Sequence, residues 1–64
     1  MYGQRIRELR EEENKSQKQL AIITGIPQAT IARYELEKTE PRVTEIKILC
    51  NYFNVTSDYL IGIE

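Results

Sequence analysis

The chain has 64 residues, enough for one small domain near the lower limit for folding without disulfides or metals. Its 41% hydrophobic and 30% charged residues exclude a disordered segment, and no apolar run approaches the ~20 residues of a membrane span or forms a signal-peptide core. A net charge of −1 argues against a uniformly basic nucleic-acid-binding surface, and a lone cysteine, Cys50, excludes an intramolecular disulfide and suits a reducing, cytoplasmic setting.

In chain order, the first helix is expected over about Gln4 to Glu13. Ile6 and Leu9 mark its narrow apolar side, while Arg5, Arg7, Glu8, Glu11 and Glu12 are mostly solvated. Asn14 offers a left-handed C-terminal stop. Ser16 opens the second helix as its N-cap, and Gln19 three positions on completes a capping box of the Ser-x-x-Gln form, worth about 1 kcal/mol. Leu20, Ala21 and Ile23 are expected to face inward, with Gly25 ending the helix in a left-handed conformation that glycine adopts without steric cost. The third helix begins near Pro27, whose fixed φ suits a first turn, and runs to about Glu35. Leu36 to Arg42 forms a polar connector closed by Pro41. The fourth helix, near Thr44 to Phe53, carries Ile46, Leu49, Cys50 and Phe53 at helical spacing, and Asn54 can take its C-terminal turn. Thr56 caps a short fifth helix with Asp58 in its first turn, where the dipole favours an anion. With no convincing strand, the expected fold class is all-α, five helices in one domain over residues 1–64.

Residues 17–34 read as two short helices hinged at Gly25. Ala21 is small where the helices must pass closely, and Leu20, Ile26, Ile31 and Tyr34 fall where apolar groups would clamp them together. Such a pair is the usual way to present a helix to the DNA major groove, which makes sequence-specific DNA binding the leading hypothesis. From Asn14 to Tyr34 the only charges are the cations Lys15, Lys18 and Arg33, so the negative charge resides elsewhere; the asymmetry supports that hypothesis, with chance clearing of a short window as the bland alternative. At about 100° per residue, Thr30, Ile31 and Tyr34 share a core side of the third helix, and Gln28, Ala29, Ala32 and Arg33 share the opposite, exposed side. Glutamine can pair bidentately with adenine, arginine with guanine, and alanine can pack on a thymine methyl. Taken alone, this is an ordinary polar helix face; behind the tight turn it becomes a candidate base-reading surface.

Gln17 and Lys18 begin the second helix, where unpaired backbone N–H groups and the positive dipole end favour an anion, although polarity there is also ordinary. Lys38 and Arg42 on the connector are phosphate candidates or simply solvated cations. Cys50 lies on an apolar stripe and reads as a packed thiol. Catalysis has little to stand on. There is no histidine, no second cysteine and no glycine-rich phosphate loop, and Glu11, Glu12 and Glu13 point around a helix instead of converging. No cofactor, metal site or catalytic residue is expected.

The ordered set Arg5-Ile6-Arg7-Glu8-Leu9-Arg10, Ser16-Gln17-Lys18-Gln19-Leu20-Ala21, Gly25 through Glu35, and Phe53 through Gly62 resembles the Cro/C1-type (XRE-like) helix-turn-helix family, which includes lambdoid phage repressors. The likeness covers nearly the whole chain. It implies a five-helix, lambda-repressor-like domain with helices two and three as the DNA-binding unit. It further implies base contacts from Gln28, Ala29, Ala32 and Arg33, phosphate contacts from Gln17, Lys18, Lys38 and Arg42, and a structural ion pair between Arg10 and Glu35. Three departures stand out. Pro27 replaces the Ser or Thr that often caps helix three, Glu37 replaces a glycine and turns an acid toward the DNA side, and Glu37 with Glu40 dilutes a connector that often supplies cations.

The implied function is a small cytoplasmic transcriptional regulator, a repressor acting by occupying an operator on double-stranded DNA. It would bind as a homodimer, completed on DNA, with no membrane partner. Tyr52, Tyr59, Ile61 and Ile63 would then be either dimer contacts or simply core. The alternative is a protein-interaction module, antitoxin-like or an anti-repressor partner, with weak or lost DNA binding; the acidic total and Glu37 support it. An end directly after the fifth helix fits both a complete Cro-like protein and a trimmed repressor.

Overall fold

The computed structural model describes residues 1–63, so Glu64, the last residue of the expected domain, lies outside it. The helices run α1 (Tyr2–Glu12), α2 (Gln17–Thr24), α3 (Gln28–Glu35), α4 (Val43–Phe53) and α5 (Ser57–Ile61), with no strand among the described residues. They enclose Ile6, Leu9, Leu20, Ile26, Ile31, Tyr34, Leu49 and Leu60, one or two side chains from each element and one from the α2–α3 turn. Each short helix is amphipathic only over a narrow stripe, so burying that stripe against its neighbours is what makes it helical in water.

Local signals set most of the boundaries. Ser16 Oγ accepts from the Gln19 N–H at 3.0 Å while Gln19 Oε1 accepts from the Ser16 N–H at 2.8 Å, closing the capping box. Gly25 leaves α2 at φ 76°, and a Cβ there would meet nothing within 4 Å, so its backbone angle and not crowding calls for glycine. Asn14 and Asn54 both stand at φ 57°, a conformation asparagine tolerates better than most residues. Thr56 Oγ1 accepts from the Tyr59 N–H at 3.1 Å and starts α5. Cys50 is packed on the core, and burial pushes its thiol pKa up.

Five expectations need correction. α1 starts at Tyr2, two residues before the expected Gln4, because its first turn has distant partners. The Gly3 N–H donates to Glu37 Oε2 at 3.0 Å, and the Tyr2 hydroxyl donates to the Thr39 carbonyl at 3.2 Å. Glu37 therefore aims its carboxylate at the start of α1 and not toward the recognition side. It also supplies the left-handed exit itself, at φ 59°. Ile23 faces solvent, 47% exposed. The inward seam of α2 runs through Leu20, Ala21, Thr24 and Gln17, and Ile23 stands roughly 110° round the helix from its centre. Thr30, expected in the core beside Ile31 and Tyr34, is only half-buried. α4 begins one residue early, at Val43.

Gly3 lets α1 approach α3 closely. A Cβ built on it would stand 2.6 Å from the Tyr34 carbonyl oxygen and 2.7 Å from that of Glu35, backbone atoms that cannot swing aside. The end of α3 is thus laid directly on the start of α1, with Glu37 as the clasp. Glu37→Ala keeps the left-handed strain and loses the acceptor, so urea denaturation should show a loss of about 0.5–2 kcal/mol. Glu37→Gly loses the same acceptor but relieves about 1–2 kcal/mol of strain, and should be more stable than Glu37→Ala.

Candidate nucleic-acid interface

The outer face of α3 is held by its C-terminal end. Glu35 accepts from Arg10 Nε at 2.7 Å and from Arg10 Nη2 at 3.1 Å, a bidentate pair linking α1 to α3. Its Oε1 also accepts from Gln17 Nε2 at 3.1 Å, which brings in the first residue of α2. The remaining arm of Arg10 donates to the Lys15 carbonyl at 2.8 Å, fixing the α1–α2 loop. The side chains of Arg10 and Glu35 are only 12% and 5% exposed, so water screens the pair weakly. The hydrogen bond to Glu35 raises the Arg10 guanidinium pKa above its ordinary value.

With α3 set in this way, Gln28, Ala29 and Arg33 are exposed and Ala32 is half-buried beside them. Ile31 and Tyr34 are buried on the opposite side. The four predicted base-reading residues therefore share one accessible face. Lys18 is exposed at the start of α2, and Lys38 and Arg42 are exposed on and beside the connector. Gln17 is placed differently: it is half-buried, and one amide N–H is already used on Glu35. A second side-chain N–H and the backbone N–H groups that open α2 remain at that helix start. A shallow recess of about 410 Å³ lies between α1 and α3, lined by Arg7, Arg10, Gln17, Ala32, Glu35 and Leu36.

A helix of eight residues ending on an αL glycine, a second of the same length that follows directly on Pro27, and an exposed polar face on the latter define the geometry. The family profile described as "Helix-turn-helix" matches residues 6–60. The chain belongs to the helix-turn-helix family of the Cro/C1 type. Among Bacillus subtilis (strain 168) proteins, this helix-turn-helix chain is similar to the uncharacterized HTH-type transcriptional regulator YobD, 35% identical over 98% of the chain and 56% of the relative. It is also similar to the SPbeta prophage-derived uncharacterized regulator YonR, 31% identical over 95% of the chain and 56% of the relative. A third relative, the HTH-type transcriptional regulator ImmR, is 32% identical over 94% of the chain and 47% of its own length. The chain spans about half the length of these relatives. No solved structure matches it.

Leu36 reads in the sequence as part of a polar connector, yet it continues α3 as its C-cap and is 67% exposed. Ile22, at 74%, is likewise an apolar group facing solvent on α2. Among the described residues no group of His, Cys, Asp and Glu could hold a metal ion, and no helix is long and apolar enough to cross a membrane.

Removing either half of the Arg10–Glu35 pair leaves a part-buried charge with a single remaining partner, Gln17 for Glu35 or the Lys15 carbonyl for Arg10. Arg10→Ala and Glu35→Ala should each cost about 1.5–3 kcal/mol in chemical denaturation, and swapping the two residues should recover part of that. Arg7→Ala breaks a pair with Glu11 whose side chains are 64% and 55% exposed, and should cost no more than ~0.5 kcal/mol.

Proposed function

We propose that the chain is the DNA-binding domain of a cytoplasmic transcriptional regulator, a repressor that occupies its operator by inserting α3 into the major groove. The observation that carries this reading is the accessible face of Gln28, Ala29, Ala32 and Arg33 on a helix whose angle is fixed at its far end by Arg10 and Glu35. Gln28 and Arg33 supply the donors and acceptors that adenine and guanine edges present, and Ala29 and Ala32 allow close approach. Lys18, Lys38 and Arg42, with the N-terminal amides of α2, hold the phosphates on either side. Gln17 acts at the same helix start through its remaining N–H. The names of YobD, YonR and ImmR as transcriptional regulators support the same function.

The roles separate by their salt and sequence dependence. Gln28→Ala should cost ~1–3 kcal/mol on the preferred operator and relax preference at one base pair. Lys18→Ala should weaken all duplexes alike and lower the salt slope by roughly one unit. Binding titrations at several salt concentrations, on operator and random duplexes, measure both. Equal effects of the two substitutions everywhere would mean that α3 is not the reader. Absence of DNA binding together with tight capture of a protein would select the interaction-module reading.

One recognition helix makes too few phosphate contacts for the ~10⁻⁸ M or tighter affinity of a specific complex. We place a second copy across a two-fold axis, with half-sites about one helical turn, ~34 Å, apart. The surface assigned to this contact is the end of α5, where Ile63 is exposed and Ile61 half-buried. Tyr59 is partly committed to the fold, since the Arg5 guanidinium lies 4.1 Å from its ring centroid and donates to its carbonyl at 2.9 Å. So small a contact leaves assembly to be completed on DNA. Sedimentation with a palindromic operator should show two chains per duplex even where the free protein is monomeric; one chain at saturation would overturn the homodimer.

A further inference from the structure

We infer that Leu36 is a specificity-determining residue of the DNA interface, packing on the C5-methyl group of a thymine at the edge of the half-site. The inference rests on the reading of α3 as the base-reading helix and extends its face by one turn. Leu36 is the C-cap of α3, yet it keeps a helical conformation (φ −86°, ψ −2°), and its N–H donates to the Ala32 carbonyl at 3.1 Å. The helical track therefore runs through Leu36 and breaks only at Glu37, where φ turns to 59°. Eight residues beyond Gln28, it stands about 80° round the axis and about 12 Å along it, between the positions of Ala32 and Ala29 on the same face.

Leu36 is 67% exposed and lies outside the buried core cluster. The polar groups that line the recesses beside it have partners of their own, Glu35 in Arg10 and Gln17, Glu37 in the Gly3 N–H, Arg7 in Glu11 and Gln4 in Glu8. Leu36 thus offers an exposed apolar surface bordered on the α1 side by Arg7. At the end of a recognition helix, where the axis diverges from the groove floor, a leucine reaches further than the alanines do. The group it fits on a base edge is the thymine methyl, the apolar feature of the major groove.

The test uses a duplex selected from random sequence by the wild-type protein, with each thymine replaced in turn by uracil, which deletes the methyl and nothing else. At one thymine the replacement should weaken wild type by a factor of about four, the worth of one buried methyl group, and leave Leu36→Ala unaffected. Leu36→Met, apolar and of similar volume, should keep the sensitivity. Because Leu36 is largely exposed, both variants should melt with wild type by circular dichroism. Gln28→Ala on the same duplexes separates the two levels of the argument. Loss of base preference in Gln28→Ala, with wild type and Leu36→Ala responding equally to every uracil, would overturn the role of Leu36 alone and leave it a surface for a protein partner. Selection that enriches no sequence, or no change of preference in Gln28→Ala, would overturn the reading of α3 and this inference with it.

Discussion

Three helices depend on the carboxylate of Glu35 for their mutual arrangement. Arg10 grips both of its oxygens from α1, Gln17 donates to one of them from α2, and the carboxylate itself ends α3. Arg10 spends its remaining arm on the Lys15 carbonyl, so the loop between α1 and α2 is set by the same guanidinium. A pair this buried need not add much net stability over a well-packed apolar substitute, since desolvating two charges offsets their attraction. What it supplies is direction. Charge-assisted bonds to a planar fork tolerate little rotation, so α3 leaves the core at one angle relative to the N-terminus of α2. Reading base edges while touching phosphates requires that those two positions keep a fixed relation, and a purely apolar contact would hold it less strictly.

The clasp at the other end of α1 works by different physics. Gly3 admits the carbonyls of Tyr34 and Glu35 to a distance that a Cβ would forbid, and Glu37 then turns back to accept the Gly3 N–H. Glu37 combines two roles that are often separate: it adopts the left-handed exit from α3, and it caps another helix. The strain of a non-glycine residue at φ 59° is set against a hydrogen bond to a helix-start amide, two terms of similar size. An acid that reads in the sequence as an obstacle to DNA is, in the fold, a structural acceptor.

What was legible in the sequence follows from the range of the forces involved. The capping box of Ser16 and Gln19, the glycine hinge at 25 and the asparagine stops at 14 and 54 are satisfied within a turn of chain, and each appears where its residue type asks for it. The outer face of α3 follows from periodicity, which short helices obey. The start of α1 could not be read because its partners lie more than thirty residues away, at Glu37 and Thr39. Ile23 is not legible because an apolar residue in a two-turn helix gives no indication of which of two adjacent faces meets the core. Leu36 is hidden by a connector rich in charge, which masks one helical residue at its edge. The Arg10–Glu35 pair is implied by family likeness alone; no local pattern joins positions twenty-five residues apart.

The net charge of −1 is unevenly spread over the molecule. Glu35 is neutralised by Arg10, Glu37 is turned onto the start of α1, and Glu11 pairs with Arg7 at 3.3 Å. Asp58 stands in the first turn of α5, and Glu45 in that of α4, each stabilised by its own helix dipole. The molecule measures 27 × 23 × 19 Å, while exposed charges are screened over about 8–10 Å at physiological ionic strength. A phosphate beside α2 and α3 therefore responds to the charges within one screening length of it and hardly to the total. Within the segment from Asn14 to Tyr34 those charges are Lys15, Lys18 and Arg33, all positive. Hydrogen bonds within the fold direct Glu35 and Glu37, the acids that follow this segment, inward, while Glu13, which precedes it, stands exposed at the end of α1.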